Sequence, residues 1–346
     1  MPKVSVVVPC YRYGRYVNQC VTSVLTNTQV DLDILVIDDA SPDDSWSVVE
    51  RLPSLDPRIR VHLNEQNRGL IATANSGVLA AAGDYVVLLS ADDVLAPGWL
   101  DRGVAQLEAN PRAALAYGPT RLFRGEPPTL PARRGSRPQV WQGRDFIAAT
   151  CSSGINFITC PEAIARTSAH HEVGGYRADL PYSSDMEMWL RLASVGDVIR
   201  DRGDYAAYFR VSPSSMSANA ESAMIRIYEI RRDAFNAWHE FARDRVADAD
   251  SLLASAHRRL ARQAVYQAWL AFPANPVGGD AEMLVKFALD TDPEWATGAV
   301  RRMEALRERQ SLHGALRGVS PLSYFWFRGH RGVNAVRRRM KRFSVN

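Results

Sequence analysis

Long apolar runs are missing from this 346-residue chain. The segment VSVVVP at 4–9 is too short for a membrane span or the apolar part of a signal peptide, so a cytoplasmic protein is expected. Cysteine is scarce: Cys10, Cys20, Cys151 and Cys160 form no CxxC pair and no zinc-type spacing. Free thiols are expected, not a disulfide framework or a structural zinc. No G-x-G-x-x-G follows the first apolar run, where the turn has one glycine, Gly14. There is no G-x-x-x-x-G-K-[ST] and no G-x-S-x-G, which removes a phosphate-cradling glycine loop and the common serine-hydrolase elbow. Internal repeats are absent too.

What remains is a globular composition: 46% apolar, 23% charged, net charge +4. That charge is unevenly placed. Residues 328–342 carry seven Lys/Arg and no acid, so the rest of the chain is slightly acidic. Charge confined to one short tail argues against nucleic acid as a partner. After Tyr324–Phe327, Val333, Val336, Met340 and Phe343 share one face of an amphipathic basic helix. Such a helix either packs on the body with a solvated face or makes peripheral contact with an anionic membrane, here the inner face.

Val4–Val8 is a β-branched run suited to a strand buried on both faces. Further strands are predicted at Ile34–Ile37, Arg58–Leu63, Tyr85–Leu89 and Ala113–Tyr117. Helical spacing fills the intervals: Tyr16–Leu25, a segment through Trp46, Val49 and Leu52 capped by Ser41, Gly69–Ala82, and Pro97 to about Ala109. Alternation of this kind calls for an α/β fold with a mostly parallel sheet covered by helices. Residues 120–139 read as a loop, 141–211 as short strands with one helix around Asp185–Ala193, and 221–309 as helical.

In such sheets ligands sit at the carboxyl ends of the strands. Cys10-Tyr11, Asp38-Asp39 and Asp92-Asp93 all fall there, and three polar clusters on one rim make a site. The candidate acids are Asp38, Asp39, Asp84, Asp92, Asp93 and Asp185. Acids on a sheet rim suit a hard divalent cation bridging phosphate oxygens, with a further carboxylate as a base.

The stretches PKVSVVVPCYRYGRYV, LVIDDASPDDS, NEQNRGL, GDYVVLLSADDVLAP, VGGYRADLPYSSDMEMWLRLA and YFRVSPSSMS occur in that order. Together they resemble a family 2 glycosyltransferase of the GT-A fold over about residues 3–217. The resemblance implies transfer of a sugar from a nucleotide-diphosphate donor, UDP-linked by default, to a hydroxyl acceptor with inversion. It implies Mg²⁺ or Mn²⁺ as cofactor. Pro9, Cys10 and Tyr11 would line the nucleotide pocket, with Tyr11 against the base. Asp39 would accept from the base, Asp38 would support the turn, and Arg68 and Gly69 would lie near the nucleotide. Asp92 and Asp93 would hold the ribose hydroxyls and the metal, and Asp185 would be the general base. Asn156, Trp189 and Arg210 are candidate contacts to acceptor or donor sugar. The implied organisation is a nucleotide-sugar half at 1–118, an acceptor half at 119–219 and a helical region with the basic tail at 220–346.

Ser90 and Ser212 depart from the family pattern, which often has an acid and a histidine there, so weak metal binding is expected. They also keep open a non-catalytic module of the same fold. A nucleotidyltransferase is a further alternative, poorly matched by PCYRYGRY. His170-His171 resembles a metal pair, but adjacent residues point apart, and a surface role is expected.

Overall fold

The computed structural model describes residues 1–128, 137–212, 224–271 and 279–313. The chain divides into two compact units, Met1–His257 and Arg258–Asn346. In the first, β1 (Lys3–Cys10) is buried along nearly its whole length, as a continuous apolar run requires. It leads through α1 (Gly14–Leu25), β2 (Asp31–Asp38), α2 (Ser45–Val49), β3 (Ile59–Leu63) and α3 (Leu70–Val78) to β4 (Tyr85–Leu88). Strands β1 to β4 lie parallel in the order β3-β2-β1-β4. Their carboxyl ends therefore meet on one rim.

Beyond β4 come β5 (Val94–Leu95), α4 (Trp99–Glu108), β6 (Ala113–Tyr117), β7 (Thr120–Phe123) and β8 (Gln139–Trp141). Then follow α5 (Gly143–Ser153), β9 (Ile164–Arg166), α6 (Thr167–Val173), α7 (Ser184–Val195), β10 (Asp197–Arg200) and β11 (Ala207–Arg210). Among the described residues the main sheet runs β3-β2-β1-β4-β9-β6-β10-β8. Strand β9 wedges between β4 and β6 antiparallel to both, while β6 and β10 are parallel. A second small sheet, β5-β11-β7, carries the chain end that follows Asp92-Asp93.

The expected mostly parallel α/β sheet is present, with two local differences. Ser41 does not cap a helix. Its hydroxyl donates to Asp38 at 2.8 Å and accepts the Arg12 N–H at 3.0 Å, so α2 starts only at Ser45 and is short. Segment 141–211 holds three helices instead of one. α5 is rich in small polar residues and α6 spans only seven, so neither shows a full apolar stripe.

Helix α8 (Met224–Ala242) packs on α7, with Trp238 Nε1 donating to Ser194 Oγ at 3.0 Å. α9 spans Ala249–Ala271. In the second unit, α10 (Gly279–Thr291) is followed by α11 (Pro293–His313). Asp292 caps α11 by accepting the Trp295 N–H at 3.2 Å and also takes Arg258 at 3.1 Å. No described helix is long and apolar enough to cross a membrane. The basic segment 328–342 and its candidate membrane contact lie outside the described residues.

α7 is anchored by a buried ion pair one turn beyond Asp185. Arg191 donates to both Glu187 oxygens at 2.6 and 2.7 Å and to the Val173 and Gly175 carbonyls. Removing one partner leaves an uncompensated buried charge, so Glu187→Ala is expected to cost about 3–5 kcal/mol. Urea unfolding against wild type measures it, and an unchanged midpoint would refute the anchoring role.

Candidate active site

The rim where β1, β2 and β4 end opens into a cavity of about 870 Å³. Its floor is built by cross-links between successive loops. The Asp39 N–H donates to the Cys10 carbonyl at 2.8 Å, fastening the end of β2 to the end of β1. Asp38 is fully buried and turned away, accepting from the Ser41 N–H and hydroxyl, both at 2.8 Å. Because Ser41 also accepts from Arg12, the two loops brace each other, and both carry left-handed backbone: Arg12 at φ 61° and Ala40 at φ 53°. Strain of this kind persists only where surrounding structure enforces it. Gly14 lets α1 close on α2, since a Cβ there would sit 2.7 Å from the Ser45 Cα.

Asp39 lines the cavity and accepts from the Arg68 N–H, the Gly69 N–H and Asn64 Nδ2 at 2.7–2.9 Å. Burial pushes its carboxyl up, but these donors outweigh burial and hold it below its ordinary value. Gly69 takes φ 81°, which favours glycine. Arg68 reaches Asp39 through its backbone, and its side chain is not in the cavity wall. Pro9, Cys10 and Tyr11 line the cavity, with Tyr11 exposed.

Asp92 and Asp93 sit on the turn after β4, nearly buried. Burial raises the Asp92 carboxyl. Burial and the neighbouring Asp92 charge raise Asp93 well above the usual range. Asp93 accepts the Arg210 N–H at 2.8 Å, and Tyr13 hydrogen-bonds to Asp92 through its hydroxyl. Tyr13 was not singled out by the sequence, although it belongs to PCYRYGRY; nothing in its spacing points to Asp92. Arg210 is in the wall of the same cavity, beside the two acids. It is buried, donates to the Asp92 carbonyl at 2.8 Å, to Gln19 at 2.6 Å and to the Gly125 carbonyl, and lies between the rings of Tyr16 and Phe123.

The paired carboxylates fit a hard divalent cation in one specific way. Among the described residues no third His, Cys, Asp or Glu completes a ligand cluster with them. Mg²⁺ is commonly held by one or two carboxylates plus substrate phosphates, and that mode matches two desolvated acids facing an open cavity.

Asp185 lies in a second cavity of about 320 Å³ that shares Pro9, Leu70, Ser90 and Phe209 with the first. It is in the first turn of α7, where the helix dipole favours a charged acid. Burial wins and pushes its carboxyl up to about 6, although the Met186 N–H and Asn156 pull it back. Asn156 Nδ2 donates to Asp185 at 3.0 Å while its own oxygen accepts the Ile158 N–H at 3.2 Å, so Asn156 orients the acid. Trp189 is not brought to either cavity. It is buried edge-on to Tyr176 at 6.4 Å and faces a void of about 10 Å³ beside His170. The histidine pair splits: His171 is exposed, but His170 is buried against Tyr176 and held down to about 4 by burial, correcting the expected surface role.

Residues 5–174 match the model of glycosyl transferase family 2. An uncharacterized glycosyltransferase of Haemophilus influenzae is 26% identical over 198 residues, 56% of this chain and 61% of that protein. The chain thus spans about three-fifths of that relative's length. The fold is shared with S. aureus TarS in complex with UDP-GlcNAc (TM-score 0.62, 17% identity, 86% of this chain and 83% of that one). It is also shared with the mannosyltransferase PcManGT from Pyrobaculum calidifontis in complex with GDP-Man and Mn²⁺ (TM-score 0.53, 19% identity, 85% and 87%). The expected GT-A architecture is therefore present.

The Asn156 bond favours the charged form of Asp185. Asn156→Ala is expected to move the Asp185 titration further above about 6. Side-chain carboxyl ¹³C NMR follows it directly; a shift toward the ordinary carboxylate value would contradict the assignment.

Proposed function

Residues 5–174 place this chain in glycosyl transferase family 2, and from that premise we propose that it moves a sugar from a nucleotide-diphosphate donor to an acceptor hydroxyl with inversion. UDP is the nucleotide of first choice. The observation that carries the reading is the pair of cavities sharing one wall, with the desolvated Asp92-Asp93 pair in one and Asp185 in the other. A donor seated in the first presents its anomeric carbon at the shared wall, toward an acceptor in the second.

Each residue then has a defined task. Tyr11 packs against the base, and Asp39, kept ionised by its backbone donors, accepts a base N–H. Asp93, with Asp92, is the protein's share of a site for Mg²⁺ or Mn²⁺, which when bound would offset the charge of the departing diphosphate. Arg12 and Arg15 also line the nucleotide cavity. They rest on Tyr11 and Tyr16, 5.4 and 4.6 Å from the ring centres, without a carboxylate in ion-pair contact among the described residues. They are cations available to the diphosphate, whereas Arg210 is held in place by bonds to Asp92, Gly125 and Gln19. Asp185 takes the proton from the acceptor hydroxyl. A single displacement needs no second nucleophile, so the anomeric configuration inverts.

The rival is a non-catalytic module, favoured by Ser90 and Ser212. Asp185→Asn separates the two, since it keeps the shape of the side chain and removes the base. Transfer or donor hydrolysis should disappear while UDP affinity by calorimetry stays within about twofold, the scale of a few tenths of a kcal/mol. Activity surviving in Asp185→Asn, or UDP failing to bind wild type with or without Mn²⁺, would refute the proposal. For the wild type, turnover should rise with pH through about 6 as Asp185 ionises.

The phosphate role of Arg15 has its own test. Arg15→Gln should weaken UDP about tenfold, or 1.4 kcal/mol, and leave uridine unchanged. Equal losses for both ligands would assign Arg15 to the nucleoside instead.

A further inference from the structure

The cavity around Asp185 has the wrong lining for a purely polar acceptor. Leu70, Ile71 and Ala74 enter it from α3, and Ile227 and Ile230 from α8. Leu70 and Tyr182 are 44% and 41% exposed, so apolar surface lies open at this site and is not sealed in the core. The polar groups near Asp185 are partly committed already: Asn156 holds Asp185, and the Ser183 N–H and Ser184 N–H both bond to the Leu180 carbonyl. Arg231 is the one cation in this lining among the described residues, and it donates to the Gly154 carbonyl at 3.2 Å. The site therefore has little with which to meet a phosphate- or carboxylate-rich chain. The α8 wall also lies beyond residue 174, where the family match ends.

Resting on the transferase reading above, we infer that the acceptor is an uncharged hydroxyl compound with an apolar body. Its hydroxyl faces Asp185, and its aliphatic or aryl part lies against α3 and the Ile227–Ile230 face of α8. A sugar hydroxyl set against leucine and isoleucine loses water without gaining a partner, whereas an alkyl or aryl group gains from the same burial. A volume of about 320 Å³ is at the lower end for ligand pockets and takes a small body, not a run of sugar rings.

The test is calorimetric, on the full chain, with octyl β-D-glucopyranoside below its micellar concentration and methyl β-D-glucopyranoside as the matched polar probe. Octyl glucoside should bind at least about tenfold more tightly, and Ile227→Asn/Ile230→Asn should bring it within about threefold of methyl glucoside. Tyr182→Ser, at an exposed position, should reduce the same preference without threatening the fold. UDP binding, measured on every variant, reports whether the variant is folded. Equal binding of the two glucosides to wild type overturns the inference, as does an octyl preference untouched by both variants. The titrations are run with and without UDP. A wild type that prefers octyl glucoside but never binds UDP would refute the donor reading while supporting the apolar acceptor site.

Discussion

Two carboxylates side by side at the end of a buried strand repel one another, and the site is arranged around that repulsion. Asp92 and Asp93 are raised by burial, and Asp93 further by its neighbour. Arg210 meets them from β11, giving its backbone N–H to the Asp93 carboxylate and its side chain to the Asp92 carbonyl. It does not neutralise the pair outright. By bonding Gln19 of α1 and the Gly125 carbonyl as well, it ties the acid turn to the first helix and to the segment after β7. Arg12, Arg15 and Arg210 line the same cavity as the two acids, so a ligand there meets both carboxylates and cations.

The remaining acids are tuned in opposite directions by ordinary means. Asp39 accepts two backbone N–H groups and an amide, enough to overcome its burial and keep it charged. Asp185 has one amide, the Met186 N–H and its own N–H, and there burial prevails. A carboxyl near 6 is a better proton acceptor than an ordinary aspartate and is still mostly ionised at neutral pH. An acid held low and an acid held high on one rim suit a fixed recognition group and a working base respectively.

The strands were legible because runs such as Val4–Val8 are apolar without alternation, which marks strands buried on both faces, and their rim followed from parallel connection. The placement of Asp39, Asp92 and Asp93 on that rim was legible for the same reason, whereas Asp185, at the start of α7, was reached only through the family resemblance. What could not be read depends on contacts distant in sequence. Arg210 and Asp93 are 117 residues apart, so nothing local distinguishes a structural arginine from a ligand-facing one. Ser41 fits a helix-cap pattern, and only the presence of Arg12 and Asp38 around it shows that its hydroxyl is used elsewhere. Trp189 has the residue type of a sugar platform but the helical phase of a core residue, and phase decides.

The two cavities also differ in where their residues come from. The larger is built almost wholly from loops at the ends of β1, β2 and β4, within the segment that matches the family. The Asp185 cavity also takes Tyr176, the start of α7 with Asp185 itself, and α8, all beyond residue 174. A loop rim braced by Ser41, Asp38 and Arg210 cannot change without loss of the shared chemistry, whereas a wall supplied by a separate helix can change side chain by side chain. On the acceptor inference drawn above, substrate choice is therefore to be sought on α8 before the rim, at Ile227 and Ile230, which line the Asp185 cavity.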